Sequence, residues 1–199
     1  IKALDIPSVA ITRETDQMDC VYIEHAEAGA QVAEHLKSVG CEHYIFVGTT
    51  EDKKYLGFAE RMKEADPYFE QKLTLIETKN SREMEGILKA HFDTHPGKTG
   101  IFAYNDRRAV QVHGILQKLG ISMPGRAALV GFDNTYTCEY LYPALSSVSQ
   151  PNREMAEEAV NILIKNIEQP DGRERVAHPM RAQVIVRESS EISEKERTK

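Results

Sequence analysis

The stretch from Gly100 to Pro151 limits what this chain can fold into more than any other: GIFAYNDRRAVQVHGILQKLGISMPGRAALVGFDNTYTCEYLYPALSSVSQP. Two short apolar runs, Ile101 to Tyr104 and Ala127 to Phe132, have the length and composition of buried strands. Each ends in a polar pair, Asn105-Asp106 and Asp133-Asn134. Between them Ala109, Val112, Ile115, Leu116 and Leu119 recur at helical spacing, and Gly120 and Pro124 close the segment. A strand–helix–strand unit of this kind builds a parallel sheet. Open parallel sheets take ligands beyond the carboxyl ends of their strands. Asn105 and Asp133 stand at that edge. Both accept hydrogen bonds from hydroxyl groups, and Asn105 also donates.

The rest of the chain extends this pattern in both directions. Ile6 to Ile11 reads as a strand entered through Pro7, and Cys20 to Ile23 as a short extended segment. Helices are expected over Ala26–Val39, Lys54–Ala65 and Ser81–Phe92, alternating with strands at Tyr44–Val47 and Leu73–Ile76. After the central unit come a short helix at Tyr136–Leu141 and a strand at Leu145–Val148. A helix then starts at Pro151, with Met155, Ala159, Ile162, Leu163 and Ile167 on its apolar face. Pro170-Asp171-Gly172 ends it, Gln183–Val186 is a last strand, and the charged tail after Ser189 reads as disordered. From Ala26 to Val148 this is one doubly wound α/β unit with five strands. One strand before it and one helix after it bury too little to form a domain. They either pack on that unit or belong to a second one whose beginning is missing.

Composition narrows the function. The net charge of −6 comes from scattered acids, so the chain lacks the basic stripe of a nucleic-acid binder. No apolar run approaches the ~18 residues of a membrane-spanning helix, and no secretory leader is visible. Cys20, Cys41 and Cys138 are odd in number without CxxC spacing, which points to reduced thiols in a cytoplasmic protein. GxGxxG, GxxxxGK[ST] and GxSxG are all missing. His91 and His95 are spaced i, i+4, but no third ligand or adjacent glutamate completes a metal pattern. Neither a catalytic site, a metal nor a cofactor is expected.

Several stretches together resemble the C-terminal, effector-binding part of the LacI/GalR family. They are Ile6-Pro7-Ser8-Val9, Gly29-Ala30-x-x-Ala33-x-His35-Leu36, Ile45-Phe46-Val47-Gly48, Gly57-Phe58 and Gly100-Ile101-Phe102-Ala103-x-Asn105-Asp106. To these add Ala128 to Thr135, Pro143-x-Leu145-x-Ser147-Val148-x-Gln150-Pro151 and Val186 to Ser190. Each is weak alone, while their order and spacing run nearly end to end. The resemblance implies an α/β, periplasmic-binding-protein-like fold with one complete Rossmann-like parallel-sheet lobe and remnants of a second. Residues 1–23 would hold the last strand of the incomplete lobe and 24–149 the complete one. Residues 150–179 would be a crossing and a helix of the incomplete lobe, 180–190 a strand returning to the complete one, and 191–199 a disordered tail. The crossings are expected near Ile23–His25, Ser149–Pro151 and His178–Arg181.

The function so implied is the effector-sensing and dimerisation core of a DNA-binding transcription regulator or repressor. A sugar or sugar derivative would bind between the lobes of a homodimer. DNA would be met only through a helix-turn-helix head absent from this chain. The alternative is a sugar-binding protein of a transport system. Carried over residue by residue, the resemblance makes Lys54, Asn105, Asp133 and Gln150 the ligand-binding candidates. Lys54 stands where the family has an arginine, keeping the charge but losing the bidentate fork. It reads equally as a solvated lysine beside Lys53, Asn105 as a helix cap, Asp133 as a turn former and Gln150 as a hinge residue. Thr12 replaces a cleft-lining aspartate of some members. Phe102, Tyr104 and Phe132 could stack on a ligand, though aromatic residues in strands are mostly core.

Overall fold

The computed structural model describes residues 6–169 and 174–191. Its elements in chain order are β1 (Val9–Thr12), β2 (Asp19–Ile23), α1 (His25–Ser38), β3 (His43–Val47), α2 (Lys53–Ala65), β4 (Leu73–Ile76), α3 (Ser81–Thr94) and β5 (Thr99–Ala103). There follow α4 (Asp106–Lys118), β6 (Ala127–Phe132), α5 (Thr137–Tyr140), β7 (Ser146–Ser149), α6 (Asn152–Glu168), β8 (Ala177–Met180) and β9 (Gln183–Ile185). The chain divides into two compact units: Ile1–Glu24 with Gln150–Ala182, and His25–Ser149 with Gln183–Lys199.

The second unit is a six-stranded sheet in the order β4-β3-β5-β6-β7-β9. All pairings are parallel except the last, where β9 closes the edge antiparallel to β7. Strands β5 and β6 are buried at every residue, as the two apolar runs require. Ile45, Ile101, Leu129, Leu88, Val112 and Leu116 lie in one core between this sheet and α3 and α4. Helices α1 and α2 touch closely because two glycines let them. A Cβ on Gly57 would meet the Ala26 carbonyl oxygen at 1.9 Å, and one on Gly29 the Lys54 carbonyl oxygen at 2.0 Å. The three cysteines are buried and free, and burial pushes the Cys41 thiol up to about 12.

The first unit corrects the expectation of a lone strand and a lone helix. It holds a three-stranded parallel sheet, β1-β2-β8, on which α6 packs. The segment Cys20–Ile23 pairs with β1, and Ala177–Met180 pairs with β2. Strand β1 therefore has a neighbour on one side, not on none. Its pairing starts at Val9 rather than Ile6, beyond Pro7, which has no N–H to give. Because Ala177–Met180 is a paired strand, the third passage between units falls later than expected, at 182–183, with the others at 24–25 and 149–150. On α6 the apolar reading fails at one turn. Ile167 is exposed and Asn166 is buried in its place, donating through Nδ2 to Asp19 Oδ2 at 2.6 Å. A buried carboxylate needs that donor more than the sheet needs another aliphatic contact. Ser190, the first residue after Ser189, is fully buried, as is Ser189 itself. The remainder of the expected tail, 192–199, and the Pro170-Asp171-Gly172 stop lie outside the described residues.

Two predictions follow from this packing. Gly57→Ala should lower the unfolding free energy of the second unit by about 3 kcal/mol, read from urea melts, since the added methyl meets backbone rather than a movable side chain. His91 on α3 is buried, with Nδ1 at 2.9 Å from Thr74 Oγ1 and Nε2 at 3.1 Å from Thr99 Oγ1. Burial, then His95, His43 and Arg126, pull it down from 6.5 to about 4. The unfolded chain thus takes up this proton first, so stability falls as pH drops from 6.5 toward 4, by roughly 3 kcal/mol. In His91→Gln the same acid titration should be flatter.

Candidate functional site

In the second unit, the carboxyl ends of the parallel strands carry most of the sequence-predicted residues. Strand β3 ends at Val47 and leads into α2, whose N-cap is Asp52, accepting from Lys54 N at 2.9 Å. Lys54 is the second residue of that helix. Its side chain turns inward over the strand ends. Nζ donates to the Tyr104 carbonyl at 2.9 Å and stands 4.1 Å from the centre of the Phe132 ring. That is a hydrogen bond and a cation–π contact in one half-buried place. Burial lowers the Lys54 pKa, while the carboxylates of Asp52 and Asp133 act against that. The reading of Lys54 as a solvated lysine is therefore overturned. One ammonium group links the end of β5, at Tyr104, to the end of β6, at Phe132.

Asn105 follows Tyr104 and caps α4. Its Oδ1 accepts from Arg108 N at 3.0 Å, with the Asn105 backbone extended at φ −155°. The cap uses the oxygen, and the amide nitrogen points to no protein acceptor among the described residues. Asp133 follows Phe132 and donates its backbone N–H to the Val148 carbonyl at 2.9 Å. Its φ is +102° and that of Asn134 is +46°, two successive non-glycine residues in positive-φ backbone. Such conformations cost roughly 1–3 kcal/mol each and persist only where neighbours hold them.

The holding groups are ones that sequence reasoning missed. Asn134 donates its N–H to Ser147 Oγ at 3.0 Å, and its Oδ1 accepts from Arg187 Nη2 at 2.9 Å. Arg187 also donates to the Leu145 carbonyl at 2.8 Å and lies 3.5 Å from Glu139. Beneath the turn sits Asp106, only 2% exposed. Its Oδ2 accepts from Thr135 N at 2.6 Å and from Cys138 Sγ at 3.2 Å, and its Oδ1 from Ser147 Oγ at 2.6 Å. Gly131 makes room for it, since a Cβ there would come 2.4 Å from Oδ1. An acidic residue one place into a helix was a readable signal for Asp106. Nothing local flagged Arg187, whose partners lie more than forty residues away in sequence.

Lys54, Asn105 and Asp133 thus share one edge, formed by adjacent strands. Tyr104 is half-buried there, whereas Phe102 and Phe132 are fully buried and offer no free face. Gln150 belongs to the first unit, where its carbonyl accepts from Asn152 N at 2.8 Å. Thr12 is also in the first unit, exposed at the end of β1 with φ +74°. His91 spends both ring nitrogens on threonine hydroxyls, and no group of His, Cys, Asp or Glu among the described residues could hold a metal ion. Nor is any described helix long and apolar enough to cross a membrane. The edge can exchange hydrogen bonds with a polar guest; it shows no nucleophile paired to a base.

Replacing Asp106 by Ala would leave three donors without this acceptor, those of the buried Cys138 and Ser147 among them. It should cost about 4 kcal/mol of stability in urea melts, and Asp106→Asn less, because two of its acceptor contacts survive.

Residues 33–190 match the family of periplasmic binding protein-like domains. The ribose operon repressor of Halalkalibacterium halodurans is 29% identical over 171 residues, 83% of this chain and 51% of that protein. The HTH-type transcriptional regulator DegA of Bacillus subtilis is 31% identical over 165 residues, 79% of this chain and 49% of that protein. The chain thus spans about half the length of these curated relatives. Among solved structures, a LacI family transcriptional regulator from Enterococcus faecalis V583 with bound ribose superposes with a TM-score of 0.76 at 25% identity, covering 96% of this chain and 71% of that one.

Proposed function

This chain belongs to the periplasmic binding protein-like family, in the form carried by LacI-type regulators, and from that premise we propose that it is the effector-sensing core of a transcription regulator. The observation that carries the reading is the edge of the second unit, where Asn105 and Asp133 flank the Lys54 ammonium on neighbouring strand ends. A small hydroxylated molecule, a sugar or sugar derivative, would exchange hydrogen bonds with the Asn105 amide and the Asp133 carboxylate. Gln150 would be a further contact of the effector. Effector binding would bias the geometry of a homodimer and so its hold on DNA. DNA would be met by parts of the whole protein outside these residues, as the HTH-type name of one relative suggests. The protein would act in the cytoplasm and catalyse nothing. The relatives named above are regulators, which favours this reading over a transport sugar-binding protein.

The test is thermal denaturation of the 199-residue chain against a panel of neutral sugars and nucleobases. A true effector at one hundred times its Kd should add about 2.7 kcal/mol of stability. Asn105→Ser keeps a capping oxygen for α4 but removes the amide donor. It should melt near the parent temperature yet bind the effector at least tenfold more weakly. A variant that binds unchanged would remove Asn105 from the site.

A further inference from the structure

We propose that Arg187 and Asn134 are positioning residues that tie the Asp133 turn to the two places where the chain leaves and re-enters the second unit. Their purpose rests on the effector-sensing reading, whereas their test needs no effector, so that either can fail without the other.

The chain leaves the second unit after Ser149, the last residue of β7, and returns to it at Gln183, the first of β9. These two residues face each other across the antiparallel pair, in the register Ser149↔Gln183, Val148↔Val184 and Ser147↔Ile185. The roots of two passages are therefore cross-strand partners at one edge of the sheet. The same three residues of β7 carry the turn that follows β6. Asp133 donates its N–H to the Val148 carbonyl at 2.9 Å, and Asn134 donates its N–H to Ser147 Oγ at 3.0 Å. Asn134 Nδ2 donates to Ser149 Oγ at 3.3 Å.

The other end of the Asn134 amide belongs to Arg187, two residues past β9, whose Nη2 donates to Oδ1 at 2.9 Å. A permanent cation on the amide oxygen decides which way the group points, and so turns its nitrogen toward Ser149. The guanidinium is fixed in turn. Nη1 donates to the Leu145 carbonyl at 2.8 Å. The backbone beneath it is clamped on Ser146, whose Oγ accepts from Arg187 N at 2.8 Å and donates to the Arg187 carbonyl at 3.0 Å. Ser189 extends the clamp, accepting from Ser146 N at 2.8 Å and donating to the Leu129 carbonyl at 2.6 Å. With the Arg187 side chain 15% exposed, little water competes for these bonds. Glu139, 3.5 Å away, is a minor partner, because its own side chain is 70% exposed and screened.

A shift of the segment after β9 thus pulls on Asn134, and a rotation of Asn134 releases Ser149. The positive φ of Asp133 and Asn134 persists only while neighbours hold it, so the turn depends on the same contacts. An effector seated on the turn would act on both roots through one amide, along a continuous chain of hydrogen bonds.

The experiment is amide hydrogen exchange of the 199-residue chain, read residue by residue by NMR and expressed relative to the amides of β3, which report opening of the sheet as a whole. Arg187→Lys keeps the charge but lacks the fork that serves two oxygens at once. In it the Asp133 and Asn134 amides should exchange about tenfold faster on that scale. Asn134→Gly accepts positive φ and removes the amide. There the amides of β9 should lose protection by about the same factor. Asn134→Asp also tolerates positive φ, and its two oxygens can accept from Arg187 and from the Ser149 hydroxyl. It should therefore restore both regions to near the parent values. If turn and β9 lose protection only in step with β3, these are ordinary stability contacts and the proposal is overturned. It is overturned equally if Asn134→Gly leaves β9 unchanged, or if Asn134→Asp fails to rescue.

Discussion

A single buried carboxylate underlies the geometry of the candidate site. Asp106 stands where α4 begins and gathers donors from three places: Thr135 after β6, Cys138 on α5 and Ser147 on β7. Without that anchor the chain leaving β6 has no reason to hold two consecutive residues at positive φ. With it, the turn at Asp133 and Asn134 is closed from below by Asp106 and from the side by Arg187. The same residue opens the helix that Asn105 caps. Both candidate ligand contacts are thus set by one charged group that does not itself line the edge. Burying it is tolerable only because its oxygens meet three donors.

A division of labour follows at each strand end. The residue closing β6, Phe132, is fully buried and serves as a surface for the Lys54 ammonium. The residue after it, Asp133, is half-buried and turned out of the strand by its positive φ. On β5 the arrangement repeats, with Ala103 buried, Tyr104 lending its carbonyl to Lys54, and Asn105 leaving the sheet. Lys54 couples the two ends, so a displacement of α2 would reach both. That is the kind of packed, two-ended connection through which an effector can bias a structure.

The fold was legible in the second unit because its central strands, β5 and β6, are buried on both faces and read as plain apolar runs between helices of clear period. The first unit was harder. Asp19–Ile23 is five residues long, and Ala177–Met180 contains a proline and a histidine with little apolar content. Cys20–Ile23 was legible as an extended segment, though not its partners, while Ala177–Met180 is a strand because β2 supplies the pairing, which no local pattern encodes. The apolar face of α6 was misread at Ile167 for a related reason, since the buried place went to Asn166 to satisfy Asp19 from far away in sequence. At the site, Asn105 and Asp133 were visible as polar residues ending apolar runs. The contacts of Lys54 were not, because a lysine in a charged stretch looks solvated until its reach over Phe132 is seen.

The difference between lysine and arginine at position 54 follows from how the ammonium is held. A guanidinium presents five N–H groups in a plane and can serve two partners at once, whereas an ammonium has three and little directional reach. Here the ammonium is committed to a backbone carbonyl and an aromatic face, and two carboxylates already offset its charge. Beside it stand the amide of Asn105 and the carboxylate of Asp133, a donor and an acceptor at neighbouring strand ends. The vicinal hydroxyls of a sugar ring, each able to donate and accept, suit such a pair.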